Sequence, residues 1–340
     1  MTNKKKIILG APTHFNFSNS IKTGLLEQGF EVIDLSQRLD TPFKYKNILQ
    51  RVHNLIRKVF LKDRSYKEKL KHKSFLTLLE NDLKNVDNVD YALFIRPDLF
   101  PIEFIEKVKH KTKKLIAYQW DGLSRFPHVL SYIPLFDFFH VFEQDDLKNH
   151  PSTIACTNFY FKKGEIPIVE NFNRTYYLGT FFQDRIEVLA KIKSSLERLN
   201  FTNEIIISSS SNTQKALIKE KRLEFKKNAI TYEENLENVL SSEVLIDIQN
   251  TLHDGLSFRI FESIGYDKKL ITTNPNISKY DFYTPDNILI WNNQSDLEIK
   301  KFYEQPYQSL NTHIKQKYSF ENWIKFILKI DGHIPIDIPR

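Results

Sequence analysis

Residues 244–274 constrain the fold of this chain more than any other stretch of its sequence. Val244 to Ile248 is a β-branched apolar run of the kind that forms buried strands, and residues 270–273 start a second extended run. Between them, Leu256, Ile260 and Ile264 recur every four residues, which puts them on one face of a helix. The stretch therefore predicts a strand–helix–strand unit of a parallel sheet.

Polar residues are concentrated around the predicted helix of this unit. Asp254, Arg259 and Glu262 lie within nine residues of one another, at the mouth of the unit. Gly265 stands where a glycine commonly ends a helix, so we expect the helix to stop there. A cluster of this kind at a strand end indicates a ligand site.

The rest of the sequence repeats the alternation of strands and helices. In the first half, predicted strands cover 6–10, 30–35, 91–95, 114–118, 138–142 and 154–161. In the second half, strands are predicted at 176–180, 204–207 and 229–232, with helices at 184–199, 213–227 and 233–241. This rhythm is typical of doubly wound parallel sheets, and Gly and Pro near 162–173 interrupt it. We predict an N-terminal Rossmann-like domain (1–172), a C-terminal Rossmann-like domain (173–318) and a final helix and tail (319–340), the two domains facing each other across a cleft.

Composition excludes several classes of protein. A chain of 340 residues with 41% hydrophobic residues has enough apolar side chains for packed cores, and its length favours two domains. The single cysteine, Cys156, excludes an internal disulfide framework and suits a reducing cytosol. No run of about 18 apolar residues occurs, and the apolar start at 7–10 is too short for a signal peptide. We therefore expect a cytosolic protein, either free or peripheral on the inner face of the membrane.

Basic residues are concentrated between Lys44 and Lys84. This segment has twelve Lys and Arg residues against four acidic ones. Such an excess in helical sequence is compatible with a surface that binds an anionic membrane or acceptor, and equally with an ordinary solvated helix face. Nucleic acid is not expected, because no nucleic-acid-binding motif accompanies the charge.

The position of strand ends selects the candidate site residues. Ligands of open α/β sheets bind outside the carboxyl ends of the strands, near the point where the strand order reverses. The polar residues that follow predicted strands are His14, Arg96, Asp98, Asp121, Glu143 and Asp145 in the first half, and Thr180, Gln249, Asn250, Asp254, Arg259 and Glu262 in the second.

The motif in the second half resembles a known family. Asp254 and Glu262 are separated by seven residues, Gly255-Leu256 follows the first acid, and Gly265 is followed by Lys269-Leu270-Ile271-Thr272-Thr273. This pattern resembles the Glu-x7-Glu region of GT-B glycosyltransferases, and the chain looks most like bacterial enzymes of capsule or lipopolysaccharide synthesis. Asp254 departs from the usual glutamate. Gly179-Thr180-Phe181 with Arg185 resembles the loop of such enzymes that approaches the donor phosphates.

The chemistry of these side chains agrees with a nucleotide-sugar donor. Glu262 is suited to accept hydrogen bonds from two vicinal ribose hydroxyls. The guanidinium groups of Arg259 and Arg185 are suited to bind a diphosphate. Because these cations stabilise the leaving diphosphate, we expect the transfer to need neither a metal ion nor a cofactor. The alternative for Arg259 and Glu262 is an ordinary ion pair on the surface of a helix.

If the reaction inverts the anomeric centre, a base that accepts the acceptor's proton is expected from the first half. Asp121 is the first candidate, because it lies at a strand end beside Trp120, an aromatic ring that can stack on a sugar. His14 is the second and Glu143 the third, with an ordinary loop histidine as the alternative for His14. Glu143-Gln144-Asp145 also imitates the acid-x-acid metal site of GT-A enzymes, but the two-domain rhythm does not suit that fold.

The resemblance, with the side-chain chemistry above, implies a metal-independent glycosyltransferase that acts on a glycan or lipid-linked acceptor in surface-polysaccharide synthesis. A nucleotide-sugar epimerase of the same fold and a non-catalytic protein that binds through residues 44–84 remain open alternatives. The sequence leaves open the sugar, the nucleotide, the acceptor, the oligomeric state, and retention or inversion.

Overall fold

The computed structural model describes residues 4–60, 62, 65–162, 174–228, 230–249 and 254–339. Within these residues, twelve strands form two six-stranded sheets, and all of the paired strands are parallel. The predicted α/β architecture with two Rossmann-like domains is confirmed. The predicted boundary between residues 172 and 173 lies outside the described residues.

The first sheet contains the strands β1 Lys6–Gly10, β2 Glu31–Asp34, β3 Val89–Ile95, β4 Thr112–Gln119, β5 Phe138–Val141 and β6 Ile154–Ala155. Their order across the sheet is β2-β1-β3-β4-β5-β6. The helices of this half are α1 Phe17–Glu27, α2 Ile48–Phe60, α3 Ser65–Leu83, α4 Ile102–Lys109 and α5 Gln144–Asn149. The strand order reverses between β1 and β3, so the carboxyl ends of these strands flank the position where such a sheet binds ligands.

The second sheet contains β7 Thr175–Thr180, β8 Asn203–Ser208, β9 Glu224–Lys226, β10 Val244–Asp247, β11 Lys269–Thr272 and β12 Ile288–Ile290. Their order is β12-β11-β10-β7-β8-β9, which reverses between β7 and β10. The helices are α6 Gln183–Arg198, α7 Asn212–Glu220, α8 Tyr232–Leu240, α9 Phe258–Gly265, α10 Asp296–Glu304, α11 Thr312–Lys317 and α12 Phe320–Ile327. In the described part of the chain, no helix has the length and apolar content needed to cross a membrane.

The last helix returns to the first domain. Trp323 of α12 is fully buried in the core that contains Ile7 and Leu9 of β1, and its indole Nε1 donates to the carbonyl of Thr157 at 3.0 Å. Phe320 N donates to the carbonyl of Tyr160 at 2.8 Å, which joins the start of α12 to the strand-like segment after β6. Helix α12 therefore ties the second half of the chain to the first sheet.

Three sequence predictions were wrong in detail. The helix predicted over 213–227 ends at Glu220, because Arg222 adopts a left-handed conformation (φ 61°) and the chain then forms β9. Of the strand predicted over 229–232, Ala229 lies outside the described residues, and the rest leads into α8, where the Thr231 hydroxyl accepts the backbone N–H of Glu234 as a helix cap. Residues 127–135, for which the sequence also predicts a helix, form a 3-10 helix that contains Pro134.

Helix α9 ends at Gly265, as predicted, but this glycine is not the residue that turns the chain. The left-handed residue after this helix is Asp267 (φ 55°), whereas Gly265 is its last helical residue. A Cβ atom on Gly265 would overlap the ring of Tyr160, which belongs to the segment after β6. Gly265 is therefore required for the close approach of Tyr160 to α9, and not for a turn.

We expect Gly265→Ala to lower the free energy of unfolding by about 1–3 kcal/mol, because the added methyl group overpacks the contact with Tyr160. Chemical denaturation of the single variants and of Gly265→Ala/Tyr160→Ala forms a double-mutant cycle. The cost of Gly265→Ala should be smaller in the Tyr160→Ala background. Equal costs in both backgrounds would show that Tyr160 is not what requires the glycine.

Candidate functional site

The carboxyl ends of the two sheets face each other. Helix α1, which follows β1, meets the start of α8, where Ser20 Oγ donates to Glu233 Oε1 at 3.0 Å. The residue after β5, Phe142, packs against Gly255, where a Cβ atom would come within 3.0 Å of the Phe142 carbonyl oxygen. Because both contacts join segments that follow strands, the switch points of both sheets face one interdomain cleft.

An aromatic cluster holds the two domains in this arrangement. The ring of Phe17 on α1 packs edge-on against Tyr232 of α8 and Phe258 of α9, with ring centroids 5.1 Å and 4.8 Å away. Trp120, which follows β4, packs against Phe17 at 5.6 Å and against Phe258 at 5.8 Å. We call Phe17, Trp120, Tyr232 and Phe258 the interdomain aromatic cluster. Trp120, predicted as a ring that stacks on a sugar, is thus a half-buried member of this cluster.

A buried carboxylate positions the start of α9. Asp247, the last residue of β10, accepts from the Ser257 hydroxyl at 2.7 Å and from the Thr272 hydroxyl at 2.9 Å. Ser257 is the N-cap residue of α9, but its hydroxyl bonds to Asp247 and does not cap the helix. Asp247 therefore fixes the start of α9 against the ends of β10 and β11. It also occupies the Ser257 hydroxyl, which would otherwise accept a backbone N–H of α9.

The two helices that follow the switch-point strands differ from the rest of the second half. In the described chain, α7, α8, α10, α11 and α12 each have a Ser, Thr or Asn side chain that accepts a backbone N–H at the N-terminus. For α6, which follows β7, and α9, which follows β10, no such side-chain cap is formed. No Ser, Thr or Asn side chain therefore occupies these two N-termini, and a helix N-terminus that follows a strand end is a position where anions bind.

Both predicted arginines are anchored at the carboxyl end of β7. The Arg259 guanidinium donates through Nη2 to the carbonyl of Leu178 and lies over the Tyr177 ring, 4.8 Å from its centroid. Arg185 lies in the first turn of α6, over the ring of Phe182 at 4.6 Å. Its Nε atom is buried and has no hydrogen-bond partner among the described residues. An unpaired buried donor is costly, so a ligand oxygen at this position would stabilise the site.

Glu262 is buried and already engaged. It is 3% exposed, and the hydroxyl of Tyr232 hydrogen-bonds to its carboxyl group. Burial raises the pKa of Glu262 to about 7, although the positive charge of Arg259 and the bond from Tyr232 oppose the shift. The group is not the solvated partner of a surface ion pair, and a ribose hydroxyl would have to compete with Tyr232 for it.

The other predicted donor residues lie at the edge of the cleft. Thr180 is exposed at the end of β7, and Asp254 is exposed and accepts from Gln249 Nε2 at 3.4 Å. Gln249 N donates to the Thr273 hydroxyl at 2.8 Å, which ties the loop after β10 to the end of β11. Asn250 lies outside the described residues. The contact of Gly255 with Phe142 brings the neighbourhood of Asp254 close to that of Glu143.

Asp121 belongs to a charge network at the ends of β3 and β4. Its Oδ2 accepts from Arg96 Nη1 at 2.5 Å, and its Oδ1 accepts from Arg125 Nη1 at 3.0 Å. Arg96 also forms a bidentate salt bridge with Asp98, donating through Nε and Nη2. The Nε2 atom of His128 lies 3.2 Å from Asp98 Oδ2. Both carboxylate oxygens of Asp121 therefore face guanidinium groups. Asp121 is therefore already hydrogen-bonded through both oxygens.

The backbone at Arg96 is strained in support of this network. Arg96 follows β3 directly and adopts a left-handed conformation (φ 57°), which costs energy for a residue other than glycine. Its guanidinium also lies over the Phe126 ring, 3.9 Å from the centroid. The conformation turns the side chain toward Asp98 and Asp121, next to the switch point of the first sheet.

His14 and Glu143 are the other two candidates for the base. His14 is exposed in the 3-10 turn after β1, three residues before Phe17 of the interdomain aromatic cluster. Glu143 is 7% exposed at the start of α5 and packs against Gly122, where a Cβ atom would come within 2.7 Å of its Oε2. The loop of Asp121 and the side chain of Glu143 are thus in contact, whereas Asp145 is exposed on α5.

Several residues of the site were missed in the sequence. The sequence predicts that Asp247 is an ordinary residue of an apolar strand and that Tyr232 ends a strand. In the structure, Asp247 accepts from the Ser257 hydroxyl, and Tyr232 hydrogen-bonds to Glu262. The one sequence signal for Asp247 was an acid inside a β-branched run. Among the described residues, no group of three or more His, Cys, Asp or Glu side chains is arranged to hold a metal ion.

The raised pKa of Glu262 predicts a pH dependence of stability. Between its ordinary pKa of 4.5 and its folded value of about 7, the folded chain keeps a proton that the unfolded chain releases. The contribution of this carboxyl is therefore complete below pH 4.5 and is lost as the pH rises through 7, by at most about 3 kcal/mol. Urea denaturation from pH 5 to 8 should give a flatter profile for Glu262→Gln than for the unmodified chain.

Asp146 provides the matched control for this experiment. Burial raises its pKa to about 6, so Asp146→Asn should flatten the profile below pH 6.5 and leave the slope near pH 7. A Glu262→Gln variant whose slope between pH 6 and 8 equals that of the unmodified chain would contradict the assignment of that slope to Glu262.

Comparisons with known proteins identify the fold. No protein family model matches the sequence, and no curated protein matches it. Among solved structures, the chain is similar to an α-glucosyltransferase in complex with UDP-glucose and DNA containing an abasic site, with a TM-score of 0.50 and 13% identity over 92% of this chain and 97% of that one.

Two further structures match with TM-scores below 0.5. The pneumococcal O-GlcNAc transferase GtfA in complex with UDP and GlcNAc has a TM-score of 0.47 and 13% identity, over 72% of this chain and 56% of that one. The apo form of the lipopolysaccharide outer core galactosyltransferase WaaB has a TM-score of 0.43 and 15% identity, over 94% of this chain and 93% of that one. The two facing sheets and the returning α12, together with the α-glucosyltransferase match, give this chain the GT-B fold.

Proposed function

We propose that this chain is a glycosyltransferase that moves a sugar from a nucleotide-sugar donor to a glycan or lipid-linked acceptor in surface-polysaccharide synthesis, on the cytosolic side of the membrane. The observation that carries the proposal is the group of cationic and N–H donors at the switch point of the second sheet. It consists of the uncapped N-termini of α6 and α9, Arg185 with its unpartnered Nε, and Arg259. The similarity to an α-glucosyltransferase with bound UDP-glucose supports it.

The chemistry of the transfer explains why such donors are needed. The bond between the sugar's anomeric carbon and the diphosphate breaks, and a bond to the acceptor's hydroxyl oxygen forms. The negative charge of the leaving diphosphate grows as the bond breaks, and positioned N–H and guanidinium donors stabilise that charge in the transition state. In the proposal, Arg185, Arg259 and the two helix N-termini supply these donors, while Glu262, Thr180, Gln249 and Asp254 contact the nucleoside and the sugar.

We propose that this stabilisation needs no metal ion. The matching experiment measures transfer after treatment with a chelator and again with added Mg²⁺ or Mn²⁺. The proposal expects the same rate in all three conditions, because fixed cationic side chains are already present. Loss of transfer on chelation and its recovery with a metal ion would overturn the metal-independent mechanism and leave the donor site open to revision.

The acceptor's proton has to leave toward a group of the first domain if the reaction inverts the anomeric centre. Both carboxylate oxygens of Asp121 accept hydrogen bonds from Arg96 and Arg125. We therefore favour the exposed His14 as the group that accepts the proton, and Glu143 is the third candidate. His14→Ala, Asp121→Asn and Glu143→Gln, compared by kcat and by the pH profile of kcat/KM, separate the three. The base is the residue whose variant loses the acidic limb of the profile, where the rate falls because the base becomes protonated.

The donor site is tested by arginine variants with a control on the same helix. Arg185→Ala and Arg259→Ala should each weaken binding of the preferred nucleoside diphosphate about tenfold to a hundredfold, because each removes a charged donor. Arg198→Ala, also on α6, removes an exposed arginine that pairs with Asp296, and should leave the affinity unchanged. A thermal-shift screen of UDP, GDP, CDP and CMP first identifies the nucleotide.

Arg259→Ala and Glu262→Ala variants that fold and transfer sugar at the unmodified rate would contradict the proposal. The rival functions give different products in the same assay. Release of an isomerised sugar without any acceptor would indicate an epimerase. Absence of any nucleotide affinity would indicate a non-catalytic binding protein.

A further inference from the structure

Helix α2 is packed with its apolar side outward. Its large apolar residues are 46% to 78% exposed and comprise Ile48, Leu49, Val52, Leu55, Ile56 and Val59. Their spacing of one, four, seven, eight and eleven residues from the first puts all six within about one third of the helix circumference. A surface helix of a soluble domain normally turns such a stripe toward its own core.

The polar side of α2 makes the contacts with the rest of the protein. The His53 ring stacks on Tyr66 of α3 with 4.7 Å between centroids, and the guanidinium of Arg57 lies 5.4 Å from the centroid of the same ring. Gln50, Asn54 and Arg57 are the less exposed residues of the described helix, whereas its apolar residues face solvent. The attachment through α3 therefore holds the apolar stripe away from the first domain.

The charges around this stripe have one sign. From residue 44 to residue 62 the sequence contains six Lys and Arg residues and no acidic residue. On the helix itself, Arg51 and Lys58 lie at one edge of the apolar stripe. An apolar face bordered by cations matches a surface that offers hydrocarbon beneath a layer of negative charge, as a bilayer of anionic lipids does.

We propose that α2 is the part of this protein that binds the membrane, lying in the plane of a bilayer that contains anionic lipids with its apolar stripe among the acyl chains. The helix of 13 residues is roughly 20 Å long, which suits an interfacial position. A second copy of the chain fits the stripe poorly, because pairing two stripes would bring two sets of cations together. The inference does not depend on the proposed transfer reaction.

The experiment measures sedimentation of the full chain with vesicles of phosphatidylcholine alone and of phosphatidylcholine with 30% phosphatidylglycerol, without donor or acceptor. The unmodified protein should bind the anionic vesicles and release from them as salt is added. Leu49→Gln/Leu55→Gln should lower the partition coefficient by at least about tenfold, because it removes two side chains that enter the acyl layer. Arg51→Gln/Lys58→Gln should lower binding and reduce its dependence on salt.

Leu297→Gln is the matched control, because Leu297 is 62% exposed on α10 of the second domain and should not alter binding. The stripe variant replaces exposed residues, so its circular dichroism and its nucleotide affinity should equal those of the unmodified chain. Failure of the unmodified chain to bind either vesicle, or equal binding by the stripe variant, would overturn the proposal. Self-association that Leu49→Gln/Leu55→Gln abolishes would assign the stripe to a second copy and also overturn it.

Discussion

The arrangement of the site depends on the contact between the interdomain aromatic cluster and the two sheets that it joins. Phe17 comes from the helix after β1, and Phe258 begins the helix after β10, so their contact at 4.8 Å sets the two switch points opposite each other. Aromatic pairs of this kind contribute about 0.5–1.5 kcal/mol each beyond the area that they bury. The return of α12, with Trp323 in the core of the first domain, adds a second connection between the two halves.

The charged groups at this cleft are paired differently in the two domains. The first domain pairs its charged groups with each other, since Arg96 and Arg125 hold Asp121 and Arg96 holds Asp98. In the second domain, the Ser257 hydroxyl donates to Asp247 and does not cap α9, and the N-termini of α6 and α9 have no side-chain cap. The first arrangement gives a rigid, nearly neutral wall, and the second gives a surface that an anion would complete. This asymmetry is why we assign the donor diphosphate to the second domain.

Local patterns predicted much of the fold and less of the site. The strand–helix–strand unit, the parallel sheets and the location of Arg259 followed from apolar periodicity and from the rule that ligands bind at strand ends. The burial of Glu262 did not, because it depends on packing against Tyr232, thirty residues earlier in the chain. Gly265 is a glycine because Tyr160 approaches it from another segment, and periodicity carries no information about such a contact. The outward stripe of α2 likewise appears only when the packing of its polar side on Tyr66 is seen.

The most direct test of the central claim is hydrogen–deuterium exchange of the full chain with and without the nucleoside diphosphate that stabilises it most. If the diphosphate binds at the switch point of the second sheet, amides at the end of β7 and in the first turns of α6 and α9 become protected, and Arg185→Ala reduces that protection. Amides of α7 and α10, whose N-termini are already capped, should exchange at unchanged rates. Protection confined to the first domain, or no change with any of the nucleotides, would contradict the account.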